Sequence, residues 1–361
     1  MGIEKIDKNF ATKRVKPEDY EWFDHTHQNV TLHGLFYDYE DKQYKRLPTE
    51  VAKKVNDGVL ELHNNTAGGR LRFKTNSITI AIKVSQKFCG IMPHMPFFGQ
   101  MGIGIYIDGK YTNSISALFV DIEDRKDGVI CYDGVYTLPI PLRDREIHDV
   151  ELYFPLYYNV SELFVGVLKG CQIIKPDDYT YTTPVLFYGS SITQGGCAGH
   201  PGNDYQGHIC RALDTDFINL GFSGSARGEQ VMAEYITTLP HSVFVYDYDH
   251  NAPSTQHLKD THYAFYKTYR SVCKDTPIIF VTKPDYWTSI DEEDHIKVIK
   301  QTYKRAIKEG DKNVYFINGK SFFGKDKYAC TVDSCHPNDL GFILMAKKMI
   351  PVIKKVLKGD N

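Results

Sequence analysis

The spacing of apolar residues changes near residue 182 and divides the chain into two parts with different predicted structures. In the first part, apolar and polar residues alternate with a period of two, as in strands that bury one face. The predicted strands cover 71–75, 77–84, 102–111, 129–132, 136–140, 148–154 and 163–167. Many short strands at regular spacing are typical of a β-sandwich, so residues 1–182 are predicted to form a sandwich domain.

After residue 183, short apolar runs alternate with longer segments of helical period. The predicted strands are 184–188, 216–220, 242–247, 277–282 and 313–317. The predicted helices are 204–213, 226–238, 255–274, 291–309 and 337–357. This alternation predicts an α/β domain with a parallel sheet over residues 183–361. In the last helix, the apolar positions predicted to face the core are Leu340, Ile343, Leu344, Ile350, Ile353 and Leu357.

Composition narrows the classes of partner. The 361 residues suit two domains, and 42% of them are hydrophobic. Lys and Arg number 43 against 45 Asp and Glu, and no basic run occurs, so no nucleic-acid partner is expected. No segment reaches the ~20 apolar residues that span a bilayer, so no membrane partner is expected. The residues 1–8 lack the apolar core of a signal peptide, which predicts a cytoplasmic protein.

The eight cysteines are scattered and form no Cys-x-x-Cys pair, so reduced thiols are predicted. Cys197 and Cys335 lie near the candidate chemistry described below, where a role as small buried side chains is expected. The sequence indicates no metal site and no cofactor, because Asp247, Asp249 and His250 have no second cluster with ligand spacing. A homo-oligomer is compatible with the composition.

The first candidate for chemistry is Ser191, which directly follows the apolar strand 184–188. Gly189 precedes it and Gly195 and Gly196 follow, so the backbone can turn sharply there. A serine at the carboxyl end of a strand in a parallel sheet is well placed to be a nucleophile. Taken alone, this signal is moderate, because Gly-Ser-Ser also occurs in ordinary loops and Ser191 could be only a turn residue.

Three later segments strengthen this interpretation. Gly224 follows the strand 216–220, Asn251 follows the strand 242–247, and an Asp333-x-x-His336 pair precedes the last helix. The sequence therefore offers a nucleophile, a backbone donor, an amide donor and an acid–base pair, as acyl transfer requires. Asn251 on its own would suggest only a turn, and the dipeptide at His336 would suggest only a helix start.

Each residue type suits a step of ester hydrolysis. Ser191 needs a base to take its proton, and the imidazole of His336 can accept and return one at neutral pH. Asp333 would orient that imidazole and stabilise its charged form. The oxyanion formed on attack would be bound by the main-chain N–H groups of Ser191 and Gly224 and by the Asn251 amide.

With these four segments, the chain resembles the SGNH (GDSL-like) hydrolases, which are named for Ser, Gly, Asn and His in four sequence blocks. The resemblance covers residues 183 to the C-terminus and implies a flavodoxin-like three-layer sheet and a serine esterase. Two departures occur: Ser190 replaces the usual acidic residue before the nucleophile, and the third block contains Asp249-His250-Asn251-Ala252 where many members have Gly-x-Asn-Asp. Neither change affects a residue with a direct chemical role.

The first part of the chain resembles the N-terminal domain of one SGNH subgroup, which is named for a Gly-x-Asp-Leu-Tyr motif. Residues 102–106 match that motif, with Gly104 in place of the aspartate. The substitution leaves open whether this chain uses the role of that aspartate. The domain assignment is unaffected.

Substrate contacts are less clearly indicated. Trp287, next to Tyr286, follows a predicted strand on the catalytic side and could stack on a sugar ring or pack within its own loop. His94 lies in an aromatic segment that could cover the pocket or fill the sandwich core. The resemblance implies small acyl esters, most often carbohydrate O-acetyl groups, so the prediction is an esterase acting on small-molecule or oligosaccharide esters. The alternatives are an acyltransferase with the same residues and a carbohydrate-binding protein with a vestigial hydrolase domain.

Overall fold

A computed structural model of the protein describes residues 5–7, 16–87, 90–115, 125–126, 129–131, 136–139, 145–284 and 292–359. The strands of the N-terminal part are β1 (Tyr20–Phe23), β2 (Thr31–His33), β3 (Phe36–Asp38), β4 (Gln43–Lys45), β5 (Arg70–Thr75), β6 (Thr79–Lys87), β7 (Ile103–Ile107), β8 (Lys110–Ile115), β9 (Arg125–Lys126), β10 (Val129–Cys131), β11 (Tyr136–Pro139), β12 (His148–Tyr153), β13 (Glu162–Leu168) and β14 (Ile173–Ile174).

Most of these strands form two antiparallel sheets that pack face to face. One has the order β1-β13-β6-β10-β9 with β11 also paired to β6, and the other has the order β14-β5-β12-β7-β8 with β2 paired to β5. The alternating apolar residues of both sheets meet in one core, which includes Leu71, Phe73, Ile82, Ile105, Leu152 and Val165. The predicted strand 102–111 is a hairpin, because Asp108 and Gly109 have positive φ angles of 49° and 73° and reverse the chain. The β-rich N-terminal domain is confirmed.

Three short helices also lie in this part of the chain: α1 (Thr49–Val55), α2 (Asp57–Leu62) and α3 (Phe97–Met101). The alternating pattern did not predict them. Ala52 of α1 and Val59 of α2 are fully buried, and they pack with residues of the C-terminal domain rather than with the sandwich. Residues 49–62 therefore extend one helical layer of the second domain.

The C-terminal domain contains a five-stranded parallel sheet. Its strands are β15 (Tyr181–Gly189), β16 (Thr215–Gly221), β17 (Val243–Asp247), β18 (Ile278–Val281) and β19 (Val314–Ile317). Its helices are α4 (Ser191–Gln194), α5 (Tyr205–Leu213), α6 (Gln230–Ile236), α7 (Thr255–Val272), α8 (Glu292–Lys308) and α9 (Asp339–Leu357). Short 3₁₀ helices occur at Pro17–Asp19, Asp249–Asn251, Gly319–Ser321 and Gly324–Ala329.

The strand order β16-β15-β17-β18-β19 is that of flavodoxin-like sheets. Along each strand, alternate residues point to two separate cores: Phe187 and Val245 contact the layer of α5 and α9, whereas Leu186 and Phe244 contact the layer of α6, α7 and α8. The predicted three-layer α/β architecture is therefore confirmed. Such strands are apolar on both faces, which is why they read as continuous apolar runs in the sequence.

The buried face of α9 matches the predicted one in part. Phe342, Met345, Met349 and Val356 are buried together with the predicted Ile353, and the predicted Leu344, Ile350 and Leu357 are half-buried against the same core. Ile343 is half-buried, and Leu340 is 40% exposed. Aliphatic residues lie on more than one side of this helix. Their positions alone did not identify the side that packs against α5.

Two buried arginines join the domains. Arg70 of β5 donates to the carbonyl oxygen of Phe217 at 3.3 Å and pairs with the carboxylate of Asp216. Arg46 donates to the carbonyl oxygen of Gly221 at 2.6 Å and to that of Asn65 at 2.7 Å. Because both guanidinium groups are buried, these main-chain oxygens supply hydrogen bonds that water cannot.

The six cysteines whose side chains the structure describes are free thiols: Cys171, Cys197, Cys210, Cys273, Cys330 and Cys335. Within the described ranges, no helix has both the length and the apolar character that crossing a membrane would require.

The backbones of neighbouring strands approach closely where the parallel sheet ends. A Cβ atom on Gly189 would overlap the carbonyl oxygen of Asp247, and one on Gly221 would overlap the backbone nitrogen of Gln194 in α4. The N–H of Phe222 donates to the carbonyl oxygen of Gly189 at 2.9 Å. Only glycine fits at these two positions, because the atoms that a side chain would meet belong to the backbone.

We expect Gly221→Ala to lower the free energy of unfolding by about 1–3 kcal/mol or more, since the added methyl group must displace α4. Chemical denaturation followed by circular dichroism measures this change. Lys300→Ala on the exposed side of α8 is the control and should leave the unfolding free energy nearly unchanged. Equal stability of the Gly221 variant and the wild type would show that α4 does not pack against β16 as described.

Candidate active site

Ser191 is the first residue of α4, two residues after the end of β15. The side chain of Ser190 caps this helix by accepting a hydrogen bond from the N–H of Ile192 at 3.2 Å. Gly195 ends the helix with a φ angle of 108°, which side chains rarely allow. The departure at Ser190 therefore has a structural use, because its hydroxyl caps the helix that begins with Ser191.

His336 and Asp333 lie next to this serine. The Oγ atom of Ser191 is 2.9 Å from Nε2 of His336, and Nδ1 of His336 is 2.7 Å from Oδ2 of Asp333. The other carboxylate oxygen, Oδ1, accepts the main-chain N–H of His336 at 2.7 Å. The structure thus brings Ser191 together with His336 and Asp333, although Ser191 and His336 are 145 positions apart in the sequence.

The electrostatics of this group suit proton transfer. Partial burial raises the pKa of Asp333, but hydrogen bonds from the main chain and ring of His336 and their charge interaction outweigh it, so that the pKa lies below its ordinary value. An ionised Asp333 accepts from Nδ1–H of His336. In that tautomer, Nε2 is the acceptor for the hydroxyl proton of Ser191.

Main-chain hydrogen bonds hold the loop that carries His336. The N–H of Cys197, in the loop after α4, donates to the carbonyl oxygen of Pro337 at 3.1 Å. Asn338 caps α9 by accepting the N–H of Gly341 at 3.1 Å, and Asp339 accepts the N–H of Gly199 at 2.6 Å. These hydrogen bonds therefore hold the start of α9 against the loop that follows α4.

The predicted oxyanion donors follow three adjacent strands. Gly224, in the loop after β16, is exposed and has a φ angle of 64°. Among the described residues, none accepts a hydrogen bond from the main-chain N–H of Ser191 or Gly224. Asn251 follows β17, and its amide nitrogen donates to the carbonyl oxygen of Phe222 at 2.9 Å, which leaves its second hydrogen for another acceptor.

Gln194 joins these loops, and the sequence analysis assigned it no role. Its Oε1 accepts the N–H of Ser223 at 2.9 Å, beside Gly224. Its Nε2 donates to Oδ1 of Asn65 and to the carbonyl oxygen of Leu156, both at 3.1 Å. The sequence offers one signal for Gln194, a polar residue three positions after the candidate nucleophile. Its partners lie in three distant segments, so the sequence does not show what it binds.

The acidic residues after β17 have structural partners. Oδ1 and Oδ2 of Asp249 accept the main-chain N–H of Lys283 at 3.1 and 3.2 Å. Burial raises the pKa of Asp249 to about 6. The pKa of Asp247 lies well above its ordinary value, because this carboxyl group is buried and lies near the carboxylate of Asp249. Within the described chain, Asp247, Asp249 and His250 do not form a group of three potential metal ligands.

Of the residues predicted to contact substrate, the structure describes one. His94 is exposed, and its ring centroid lies 5.4 Å from that of His336. The segment of His94 therefore reaches the site from the β-domain. Tyr286 and Trp287 lie outside the described residues.

The structure explains the glycine in the altered motif of the N-terminal domain. A Cβ atom on Gly104 would overlap the carbonyl oxygen of Pro201, which lies in the loop between α4 and α5. Nearby, the ring of Tyr111 stacks on that of His200 with centroids 3.7 Å apart. Gly104 thus allows β7 to approach the C-terminal domain where an aspartate would not fit.

A cleft of about 500 Å³ lies between the domains beside these loops. Ser223 and Ser225, on either side of Gly224, line it, and Glu61 and Lys87 add exposed charged groups. Tyr157 also lines it and donates to the carbonyl oxygen of Ser191 at 3.3 Å. Four side-chain amides line the cleft as well: Asn64, Asn65, Gln100 and Asn159.

Two family models match the chain. Residues 182–354 match the GDSL-like lipase/acylhydrolase family, and residues 20–173 match GxDLY, the N-terminus of SGNH-hydrolase-type esterases. Residues 182–354 therefore belong to the GDSL-like (SGNH) hydrolase family, and residues 20–173 match the N-terminal domain of the SGNH-type esterases. No curated protein matches the chain.

Solved structures with the same architecture include a protein described as a GDSL-like lipase from Bacteroides ovatus. It is 29% identical, with a TM-score of 0.78 over 94% of this chain and 98% of that chain. The salicylyl-acyltransferase SsfX3 of a tetracycline biosynthetic pathway is 19% identical, with a TM-score of 0.71 over 93% and 98%. A family two carbohydrate esterase from Clostridium thermocellum, solved with cellohexaose, is 14% identical, with a TM-score of 0.57 over 91% and 99%. For the last two structures, the similarity shows a shared fold.

We expect Gln194→Leu to lower the free energy of unfolding by at least about 1–3 kcal/mol, because it leaves buried hydrogen-bonding groups of Asn65, Leu156 and Ser223 unpaired. Denaturant titration measures the change. Gln172→Leu, at an exposed position of the sandwich, is the matched control and should have little effect. If both variants unfold at the same denaturant concentration, the hydrogen bonds of Gln194 do not join the loops.

Proposed function

We propose that the protein is a serine esterase that removes small acyl groups, above all O-acetyl groups, from carbohydrate esters. The observation that carries the proposal is the chain of hydrogen bonds from Ser191 Oγ to His336 Nε2 at 2.9 Å and from His336 Nδ1 to Asp333 at 2.7 Å. Membership of the GDSL-like hydrolases supports the same chemistry.

In the first half of the reaction, Ser191 Oγ attacks the ester carbonyl while Nε2 of His336 takes the hydroxyl proton. The negative charge of Asp333 stabilises the imidazolium that forms. The N–H groups of Ser191 and Gly224 and the free hydrogen of the Asn251 amide are assigned to the developing oxyanion. Collapse of the tetrahedral intermediate transfers the proton from His336 to the alcohol, which leaves.

In the second half, water replaces the alcohol. His336 takes a proton from the water, which attacks the acyl-Ser191 carbonyl, and the same donors hold the second oxyanion. The acid is released and the hydroxyl of Ser191 is restored. Every step is assigned to protein groups and water, so the proposed reaction uses neither a metal nor a cofactor.

The polar cleft beside Gly224 supports a hydroxyl-rich alcohol. Asn64 and Asn159 are amides with donors and acceptors, as the many hydroxyl groups of a sugar require. Sugar recognition also combines polar groups with apolar ring faces, and Met92 and Leu60 supply apolar surface in the same cleft. We propose that the cleft holds the alcohol part of the ester and that the enzyme acts in the cytoplasm on small or oligosaccharide substrates.

We expect Ser191→Ala to lower the rate of p-nitrophenyl acetate hydrolysis by about 10³-fold or more, because the nucleophile is lost. His336→Ala should have a similar effect and Asp333→Asn a somewhat smaller one, since orientation is lost but the base remains. Release of p-nitrophenol measures these rates.

The adjacent Ser190→Ala is the matched control. It removes the cap of α4, which costs about 1 kcal/mol of stability, but it leaves the nucleophile in place. This variant should keep most of the activity. Equal rates for the wild type and the Ser191 variant would refute the assignment of the nucleophile, and a folded wild type without any hydrolysis would favour the carbohydrate-binding alternative.

The substrate class is tested with acetylated oligosaccharides. We expect mass losses equal to acetyl groups by mass spectrometry after incubation with the wild type. Asn64→Ala should raise the KM for the best oligosaccharide by about 2- to 12-fold, the equivalent of one hydrogen bond of about 0.5–1.5 kcal/mol. The same variant should hydrolyse p-nitrophenyl acetate at the wild-type rate, because this ester has no sugar.

Asn113→Ala, on β8, is the control for this measurement and should leave both KM values unchanged. If the Asn64 variant has the wild-type KM for every active oligosaccharide, the cleft does not hold the sugar. If acyl groups move to an added alcohol faster than to water, the acyltransferase alternative replaces the hydrolase.

A further inference from the structure

Three potential metal ligands meet beside Ser191. One ring nitrogen of His94, one ring nitrogen of His336 and the Sγ atom of Cys197 all lie within 4.8 Å of one another. They come from the β-domain, from the loop before α9 and from the loop after α4. The sequence does not indicate this group, because these ligands are far apart along the chain and match no ligand spacing.

The segments that carry these ligands are held against each other. A Cβ atom on Gly99, in the helix that follows His94, would overlap the carbonyl oxygen of Ala198. On the other side, the N–H of Cys197 donates to the carbonyl oxygen of Pro337, next to His336. The short distances between the ligand atoms therefore follow from backbone packing.

We propose that His94, Cys197 and His336 form an inhibitory site for a thiophilic divalent cation such as Zn²⁺. Imidazole nitrogens and thiolates are both ordinary zinc ligands, and water can complete the tetrahedron. Binding replaces the thiol hydrogen of Cys197, which leaves to solvent as a proton, and both histidines bind as neutral rings. No oxidation state changes.

The geometry requires only a small adjustment. Ligand atoms around a tetrahedral zinc are about 3.3–3.8 Å apart, given metal–ligand bonds of about 2.0–2.3 Å. The exposed side chain of His94 can rotate toward the other two ligands. Among the described residues, no group forms a hydrogen bond with a ring nitrogen of His94, so binding breaks no such bond of this ring.

A second trio, Asp333, Cys335 and His336, also has its ligand atoms within 4.8 Å. Its members are already engaged: Asp333 accepts from the ring of His336, and Cys335 Sγ lies 2.8 Å from Nε2 of His250. A cation at this second position would have to displace those contacts. A cation in the trio with Cys197 would have to displace the contact between His336 Nε2 and Ser191 Oγ but would leave the ring's contact with Asp333 in place, so this trio is favoured.

The effect of the cation on activity rests on the proposed esterase function. A cation on His336 engages the base that must take the proton of Ser191, so the esterase is inactive while the ion is bound. Chelation restores the free imidazole. The protein would then lose activity when free zinc rises, without any change in its fold.

Inhibition is measured by titrating chelator-treated protein with Zn²⁺ and assaying p-nitrophenyl acetate hydrolysis. We expect the wild type to lose activity and to regain it with EDTA. Cys197→Ser should keep its metal-free rate but need about tenfold or more Zn²⁺ for half-inhibition, since one ligand is lost. His94→Gln should lose sensitivity similarly, relative to its own metal-free rate. Cys273→Ser, remote on α7, is the matched control and should respond like the wild type.

Binding is measured separately with Co²⁺, which takes zinc positions and reports a bound thiolate by a near-ultraviolet charge-transfer band. The wild type and Ser191→Ala should both show the band, and Cys197→Ser should not. Because this readout needs no turnover, it stands even if the proposed esterase activity fails. The proposal is overturned if the wild type shows no band, if Cys197→Ser retains both band and zinc sensitivity, or if only Cys335→Ser abolishes them.

Discussion

The structure depends on the close approach of backbones at the carboxyl edge of the parallel sheet. Gly189 and Gly221 leave no room for a side chain, so β15, β16 and the first turn of α4 meet at backbone distance. This contact places Ser191 at the carboxyl edge of the sheet. Because β15 lies between β16 and β17, the loops that follow those two strands lie on either side of it. A larger residue at either glycine would separate these elements before it touched any reacting group.

Hydrogen bonds between polar side chains orient the residues that this packing brings together. Asp333 uses one oxygen to hold the main chain of His336 and the other to hold its ring, so the position and the tautomer of the imidazole are set together. Gln194 connects α4 to the loop of Gly224 and to the β-domain. The same residues that complete the fold therefore orient the groups assigned to proton transfer and oxyanion binding.

The N-terminal domain contributes residues to the candidate site. Arg46 binds the carbonyl oxygen of Gly221, Tyr157 binds that of Ser191, and His94 lies against His336. The polar cleft is lined by both domains. The proposals on sugar recognition and zinc both concern the boundary between the two domains.

The sequence by itself determined the two domains, the order of strands and helices in the second, and Ser191, Gly224, Asn251, Asp333 and His336 as candidates. Periodicity reports which faces are buried, and chemistry limits which residue types can serve an acyl transfer. Only the tertiary structure decided the buried face of α9, the packing of residues 49–62 on the second domain, and the partners of a buried glutamine. These features depend on contacts between distant segments, which no local pattern encodes.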